Sequence, residues 1–287
     1  MFKKIFSLLI SLGFLWMSGC SKPQTPPCDV LVSIPPYLYF IQQLTSGTLH
    51  SVSLAPEGAN PHLYEPTPKQ VKQAKNAKVW IRLSEHFEQK IAHSLQEQNT
   101  KLLVVNLAEG LASPATCHCH HCHQEEHQDL HIWLSLRLAQ KQALSIAEAL
   151  IQAFPEKKEL IECNLPLLLE KLSRADEQIT QKLSSFAGQA ILVSHEAFSY
   201  FCQDYQLVQL SVESEGKDPL PRQVSSIIQS AKKLPIRTVL TQAQYNNKGA
   251  ELLAHELNLP IHSVDPYSSN YLDNFLHIAH LIEQPHD

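Results

Sequence analysis

PEKKELIECNLPLLLEKLSRADEQITQKLSSF, residues 155–186, decides how the rest of the chain is read. Leu165, Leu168, Leu172, Ala175, Ile179, Leu183 and Phe186 recur at three- and four-residue steps, the spacing of one face of an α-helix. No glycine interrupts the stretch. From Glu156 to Phe186 a helix would span about 46 Å at 1.5 Å per residue, enough to run down the side of a molecule and join two parts of it. Pro166 is expected to kink it. The apolar stripe is short and broken at Pro166, which argues against a coiled-coil dimer and for a monomer.

Short β-branched runs lie on both sides of this helix. Before it come DVLVSI (29–34), HSVSLA (50–55), KVWIRL (78–83) and KLLVVNL (101–107). After it come AILVSHE (190–196), LVQLSVE (207–213), RTVLTQ (237–242) and PIHSVD (260–265). Strands alternating with helical stretches predict parallel sheets. The expected fold class is α/β: two lobes, each with a mostly parallel four-stranded sheet flanked by helices, joined by one long helix. The boundaries expected are 29–154 for the N-terminal lobe, 155–187 for the linking helix and 188–287 for the C-terminal lobe. An internal echo supports the two-lobe reading: EPTPKQV at 65–71 and DPLPRQV at 218–224 each follow a strand and precede a helical run. Pro68 and Pro221 suit the first position of a helix, where a missing N–H costs nothing.

The chain opens MFKKIFSLLISLGFLWMSGC. Lys3 and Lys4 precede an apolar run from Ile5 to Met17 that is too short to span a bilayer. Residues 1–19 read as a signal peptide and the protein as exported. Ser18 and Gly19 before Cys20 follow the bacterial pattern for lipid attachment at that cysteine, with Met17 in place of the usual leucine. Residues 20–28, polar and Pro-rich, read as a tether to a membrane. Without residues 1–19 the net charge moves from −5 to −7, because two lysines and no acids are removed. An acidic chain without a basic stripe argues against nucleic acid. Eight glycines, with no GxxxxGKS/T or GxGxxG, argue against a phosphate-cradling loop, and neither HExxH nor GxSxG occurs.

CHCHHCHQEEHQDLHIW, 117–133, points to a metal ion, with six histidines and three cysteines between Cys117 and His131. A specific site needs ligands on rigid elements, and in open α/β sheets these come from loops at the carboxyl ends of strands. Four residues meet that condition: His62 in PEGANPHLYEPTP, His131 in DLHIWL, His195 in ILVSHEAF and Asp265 in IHSVDPY. Two belong to each lobe, so they could meet in a cleft. Three imidazoles and a carboxylate suit Zn²⁺, although the same set could hold Mn²⁺ or Fe²⁺.

These motifs resemble those of the zinc- and manganese-binding solute-binding proteins of bacterial ABC importers, and the resemblance spans the whole mature chain. NPHLYEPTP is similar to the family's PHxYEPTP and implies His62 as first ligand. DLHIWL is similar to DPHxWL and implies His131, with Leu130 where the family has proline and Ser135 where many members carry aspartate. VSHEAFSYF implies His195 as third ligand, and histidine there points to zinc. VDPYSSNYLDNF implies Asp265 as fourth. The run 117–127 resembles the His-rich insertion of zinc-importing members. It implies an accessory metal-holding loop of Cys117, His118, Cys119, His120, His121, Cys122, His123 and His127. The family implies capture of one divalent ion, delivery to a membrane permease with its ATPase, and no catalysis. Three imidazoles beside Glu196 would also serve an exported zinc hydrolase, a reading without a supporting motif.

Overall fold

The computed structural model describes residues 28–111, 129–213, 221–231 and 233–284. The expected signal peptide, Cys20, the tether before Cys28, and the Cys/His run 117–127 lie outside them.

Strands β1 (Val30–Val32), β2 (Ser51–Ser53), β3 (Val79–Arg82) and β4 (Leu103–Asn106) form one sheet in the order β2-β1-β3-β4. Strands β5 (Ala190–Val193), β6 (Val208–Ser211), β7 (Ile236–Gln242) and β8 (Ile261–Val264) form the second in the order β6-β5-β7-β8. Every pairing among them is parallel. Such sheets are covered on both faces, and β1 and β5 accordingly read VLV and AILV with every residue buried. The strands are shorter than the apolar runs in the sequence, because the flanking residues of those runs already belong to loops.

The covering helices are α1 (Pro36–Thr45), α2 (Pro68–Ala74), α3 (His86–Gln98), α4 (Leu136–Ala153), α5 (Lys158–Leu183), α6 (Ser199–Asp204), α7 (Pro221–Ala231), α8 (Lys248–Glu256) and α9 (Tyr271–Glu283). Pro68 and Pro221 each open a helix. At α2 the start is reinforced by a reciprocal cap, with Gln70 N donating to Thr67 Oγ1 and Thr67 N donating to Gln70 Oε1.

Helix α5 carries the linking stretch, with 3₁₀ turns at Pro155–Lys157 and Ser184–Phe186 on its ends. It runs through Pro166 without a break. The bond lost there belongs to the carbonyl of Glu162, and both residues are exposed, so water can meet that carbonyl. Ile161, Leu168, Leu172, Ala175, Ile179 and Leu183 are buried against α1 and α4 of the first lobe and α9 of the second.

One hydrophobic core consequently extends across both lobes, from Val30 and Trp80 through Leu172 to Phe201 and Phe275. Ala190 and Leu192, on the other face of β5, pack with Val239 and Leu253 in a smaller core. Polar bonds close the joint between the lobes. Trp133 Nε1 donates to the carbonyl of Pro266 at 2.8 Å, and the Tyr271 hydroxyl donates to the carbonyl of Trp133. The Tyr200 hydroxyl donates to the carbonyl of Asp129 at 3.1 Å, and Ser135 Oγ donates to Asp204 Oδ2 at 2.6 Å.

Candidate metal centre

In both sheets the strand order reverses beside the first strand, and the crevice outside the carboxyl ends at such a point is where open α/β folds bind ligands. The two crevices face each other. His62 lies in the loop after β2, where Asn60 Oδ1 accepts its backbone N–H at 3.0 Å. His131 ends the connection from β4, immediately before a 3₁₀ turn at Ile132–Leu134. His195 follows β5, with its carbonyl held by Gln242 Nε2 at 3.1 Å.

The three imidazoles form a nearly equilateral triangle. Their centroids lie 5.4 Å (His62–His131), 5.1 Å (His62–His195) and 5.3 Å (His131–His195) apart. One potential ligand atom from each lies within 4.8 Å of the other two. The Nε2 atoms of His62 and His195 are buried and have no hydrogen-bond partner. His195 stacks on Tyr245 with centroids 4.0 Å apart and planes 10° from parallel.

A carboxylate stands behind each ring. Asp129 Oδ1 is 2.8 Å from His131 Nδ1 and also accepts the backbone N–H of His131 at 2.9 Å. Glu85 Oε2 is 3.3 Å from His62 Nδ1, and Glu213 Oε2 is 3.8 Å from His195 Nδ1. A carboxylate can only accept, so for His131 and His62, whose partners are within hydrogen-bond reach, the tautomer with the proton on Nδ1 and the lone pair on Nε2 is favoured. Burial by itself would lower the His62 pKa, but the hydrogen bond and charge of Glu85, with Glu213 and Asp129, raise it above the ordinary value. His195 falls well below its ordinary value because it is buried and faces His131 and His62.

Asp265 is not a member of this triangle. Its Oδ1 accepts from Gln244 Nε2 at 2.6 Å and from Tyr267 N at 2.9 Å, and its carbonyl accepts from Asn274 Nδ2 at 2.8 Å. These bonds shape the loop after β8 so that the Tyr267 hydroxyl comes within 3.4 Å of His131 Nε2 and 3.2 Å of the Tyr245 hydroxyl. Ser135 caps α4 by accepting from Leu138 N at 3.0 Å.

Glu85, Asp129, Glu213, Tyr245 and Tyr267 surround the triangle and were not singled out from the sequence. Glu85 follows β3 and Glu213 follows β6, so the strand-end rule that found the histidines also reaches them. Nothing local in the sequence shows which way their side chains turn. Chemically, converging neutral imidazoles with protonated outer nitrogens are an acceptor for a divalent cation.

The profile of the periplasmic zinc-uptake complex component A, ZnuA, matches residues 30–284. A candidate metal-binding protein of Chlamydia muridarum is 30% identical over 273 residues, which are 95% of this chain and 96% of that one. The zinc-binding lipoprotein AdcA of Streptococcus pneumoniae is 26% identical over 279 residues, 93% of this chain and 56% of that longer protein. A crystal structure of ZnuA superposes with a TM-score of 0.81 at 29% identity, covering 90% of this chain and 99% of that one.

Proposed function

The chain belongs to the ZnuA family of periplasmic zinc-uptake components, and from that premise we propose that it captures Zn²⁺ between its lobes through His62, His131 and His195. The family works with an ABC permease and its ATPase, and handing the ion to such a permease is the role proposed for this chain. The observation that carries the assignment is the triangle itself, three imidazoles that each bring one potential ligand atom within 4.8 Å of the other two. Three nitrogen donors favour zinc over manganese, which prefers more oxygen. Asp265 lies outside the triangle and one of its oxygens accepts from Gln244 and Tyr267, so water is the fourth ligand proposed for a tetrahedral site.

The reading extends to the rest of the chain. Residues 1–19 are a signal peptide, Cys20 carries the lipid and 20–28 are the tether, as the basic start, the apolar run and Ser18-Gly19-Cys20 support. Residues 29–154 and 188–287 are the two metal-binding lobes, and 155–187 link them. The loop 117–127 is an accessory metal store. The protein acts as a monomer and does no chemistry on its cargo. Among the described residues no helix is long and apolar enough to cross a membrane.

The test uses the chain from Ser21, intact and with 117–127 deleted. Metal is stripped, zinc is returned against a chelator, with Mn²⁺ and Fe²⁺ as competitors, and bound ions are counted. One tightly held zinc should survive deletion of the loop and be lost in His62→Ala, His131→Ala and His195→Ala. Asp265→Ala should retain most of it. If tight binding disappears with the loop, the triangle is not the receptor.

A further inference from the structure

Glu85 occupies the N-cap of α3 and does not cap it: its backbone is extended (φ −54°, ψ 149°) and its side chain makes no cap hydrogen bond. An acidic side chain there ordinarily accepts from the first-turn N–H groups and meets the helix dipole. Its neighbour Glu88 does serve the backbone. That carboxylate accepts from Leu83 N at 2.9 Å and Ser84 N at 2.7 Å and pairs with Arg82 Nε at 3.0 Å. Glu85 is turned the other way, toward His62.

The residue is 1% exposed, and its Oε1 is buried with no hydrogen-bond partner. A buried carboxylate with an unpaired oxygen costs folding free energy. The contact of its Oε2 with His62 Nδ1 at 3.3 Å offsets part of that cost, and a cation in the triangle would offset more. The three histidines also differ in how well they are held. His131 is gripped by Asp129 at 2.8 Å, and His195 lies flat on Tyr245. His62 is the most exposed of the three and sits on a loop whose next residue, Leu63, is 81% exposed. It is the ligand that most needs an external partner, and Glu85 reaches it from a different loop, 23 positions along the chain.

We propose that Glu85 is a positioning residue of the metal centre. It keeps the Nδ1 proton of His62 in place so that the Nε2 lone pair faces the cation, and it supplies negative charge that offsets a dication bound by neutral ligands. The proposal rests on the zinc-capturing reading above. It assigns a role to a residue outside the triangle and makes no use of Asp265.

The experiment is zinc affinity by chelator competition for Glu85→Ala and Glu85→Gln, each in the parent chain and with His62→Ala. Visible spectra of the Co²⁺-loaded proteins and melting of the metal-free proteins are measured alongside. Loss of an outer partner of a ligating histidine typically costs 10–100-fold in affinity, and that is expected for Glu85→Ala. Glutamine keeps an acceptor oxygen and should restore part of the loss. In the His62→Ala background, Glu85→Ala should change affinity little, because the two residues act as one unit. The Co²⁺ spectrum of Glu85→Gln should keep its four-coordinate form. Metal-free Glu85→Gln should melt at the parent temperature or above it, since a buried carboxylate with one unpaired oxygen is replaced by a neutral amide that keeps an acceptor for His62 Nδ1. Unchanged affinity in Glu85→Ala, or equal losses in both backgrounds, overturns the proposal. So does a Co²⁺ spectrum that changes coordination in Glu85→Gln, which would make Glu85 a direct ligand. Failure of the zinc reading itself would show earlier, as a parent chain without a tight site.

Discussion

Trp133→Phe removes one hydrogen-bond donor from the joint between the lobes and leaves an aromatic ring behind. The indole is fully buried, and its Nε1 donates to the Pro266 carbonyl across the joint at 2.8 Å. Leaving that carbonyl unpaired costs about 1–3 kcal/mol. The smaller ring opens a void of about 40 Å³, which adds roughly 1 kcal/mol. The expected loss is about 2–4 kcal/mol, read as a shift of the urea midpoint of the metal-free chain at constant slope. A chain of this size loses roughly 2–4 °C of melting temperature per kcal/mol. Tyr271→Phe deletes only the hydroxyl that donates to the Trp133 carbonyl, and should cost about 1–2 kcal/mol. Because the Trp133 ring lies 5.2 Å from His131 and 5.1 Å from Tyr267, zinc affinity should weaken together with stability. A loss below about 0.5 kcal/mol, the range of a neutral surface change, would refute the view that this bond ties the lobes together.

His62 has a raised pKa and His195 a strongly lowered one, so His62 takes up the first proton as pH falls. Zinc affinity should begin to drop while the pH is still above the ordinary histidine value, with one proton competing per ion, in chelator titrations from about pH 8 to 5. Ser135→Ala removes both the cap of α4 and the bond to Asp204, and should cost about 2–4 kcal/mol by denaturant unfolding. Glu88→Ala strips Arg82 and two backbone N–H groups of a fully buried carboxylate, and should cost about 3–5 kcal/mol by the same measurement.

The periodicity of 155–186 and the alternation of strands and helices made the two-sheet plan legible, because both are short-range patterns enforced by burial. Pro68 and Pro221 marked helix starts for an equally local reason, their fixed φ and missing N–H. The strand-end rule led to His62, His131 and His195, since topology alone places those positions at one cleft. It also led to Asp265, which lies outside the triangle; the sequence shows nothing of the bond by which Gln244, on a separate loop, donates to one of its oxygens. Glu85 and Glu213 satisfied the same rule and were passed over, because a side chain's direction depends on partners far away in the chain. Ser135 shows the same limit: its hydroxyl bonds Asp204, 69 positions away. The long helix tolerates Pro166 because the bond it deletes would have faced solvent, a fact that belongs to the packed helix and not to the residue.

The core shared by both lobes has a consequence for how the molecule breathes. Residues from Val30 to Phe275 lie in one continuous apolar cluster with α5 running through it. Two sheets joined in this way cannot open as independent foldons, so amide hydrogens in β1 and β5 should exchange together, only through global unfolding. Calorimetry should show a single transition. Faster exchange should appear in the loop that carries His62. An ion held at the triangle should then leave by fluctuation of the His62 loop rather than by a hinge between the lobes.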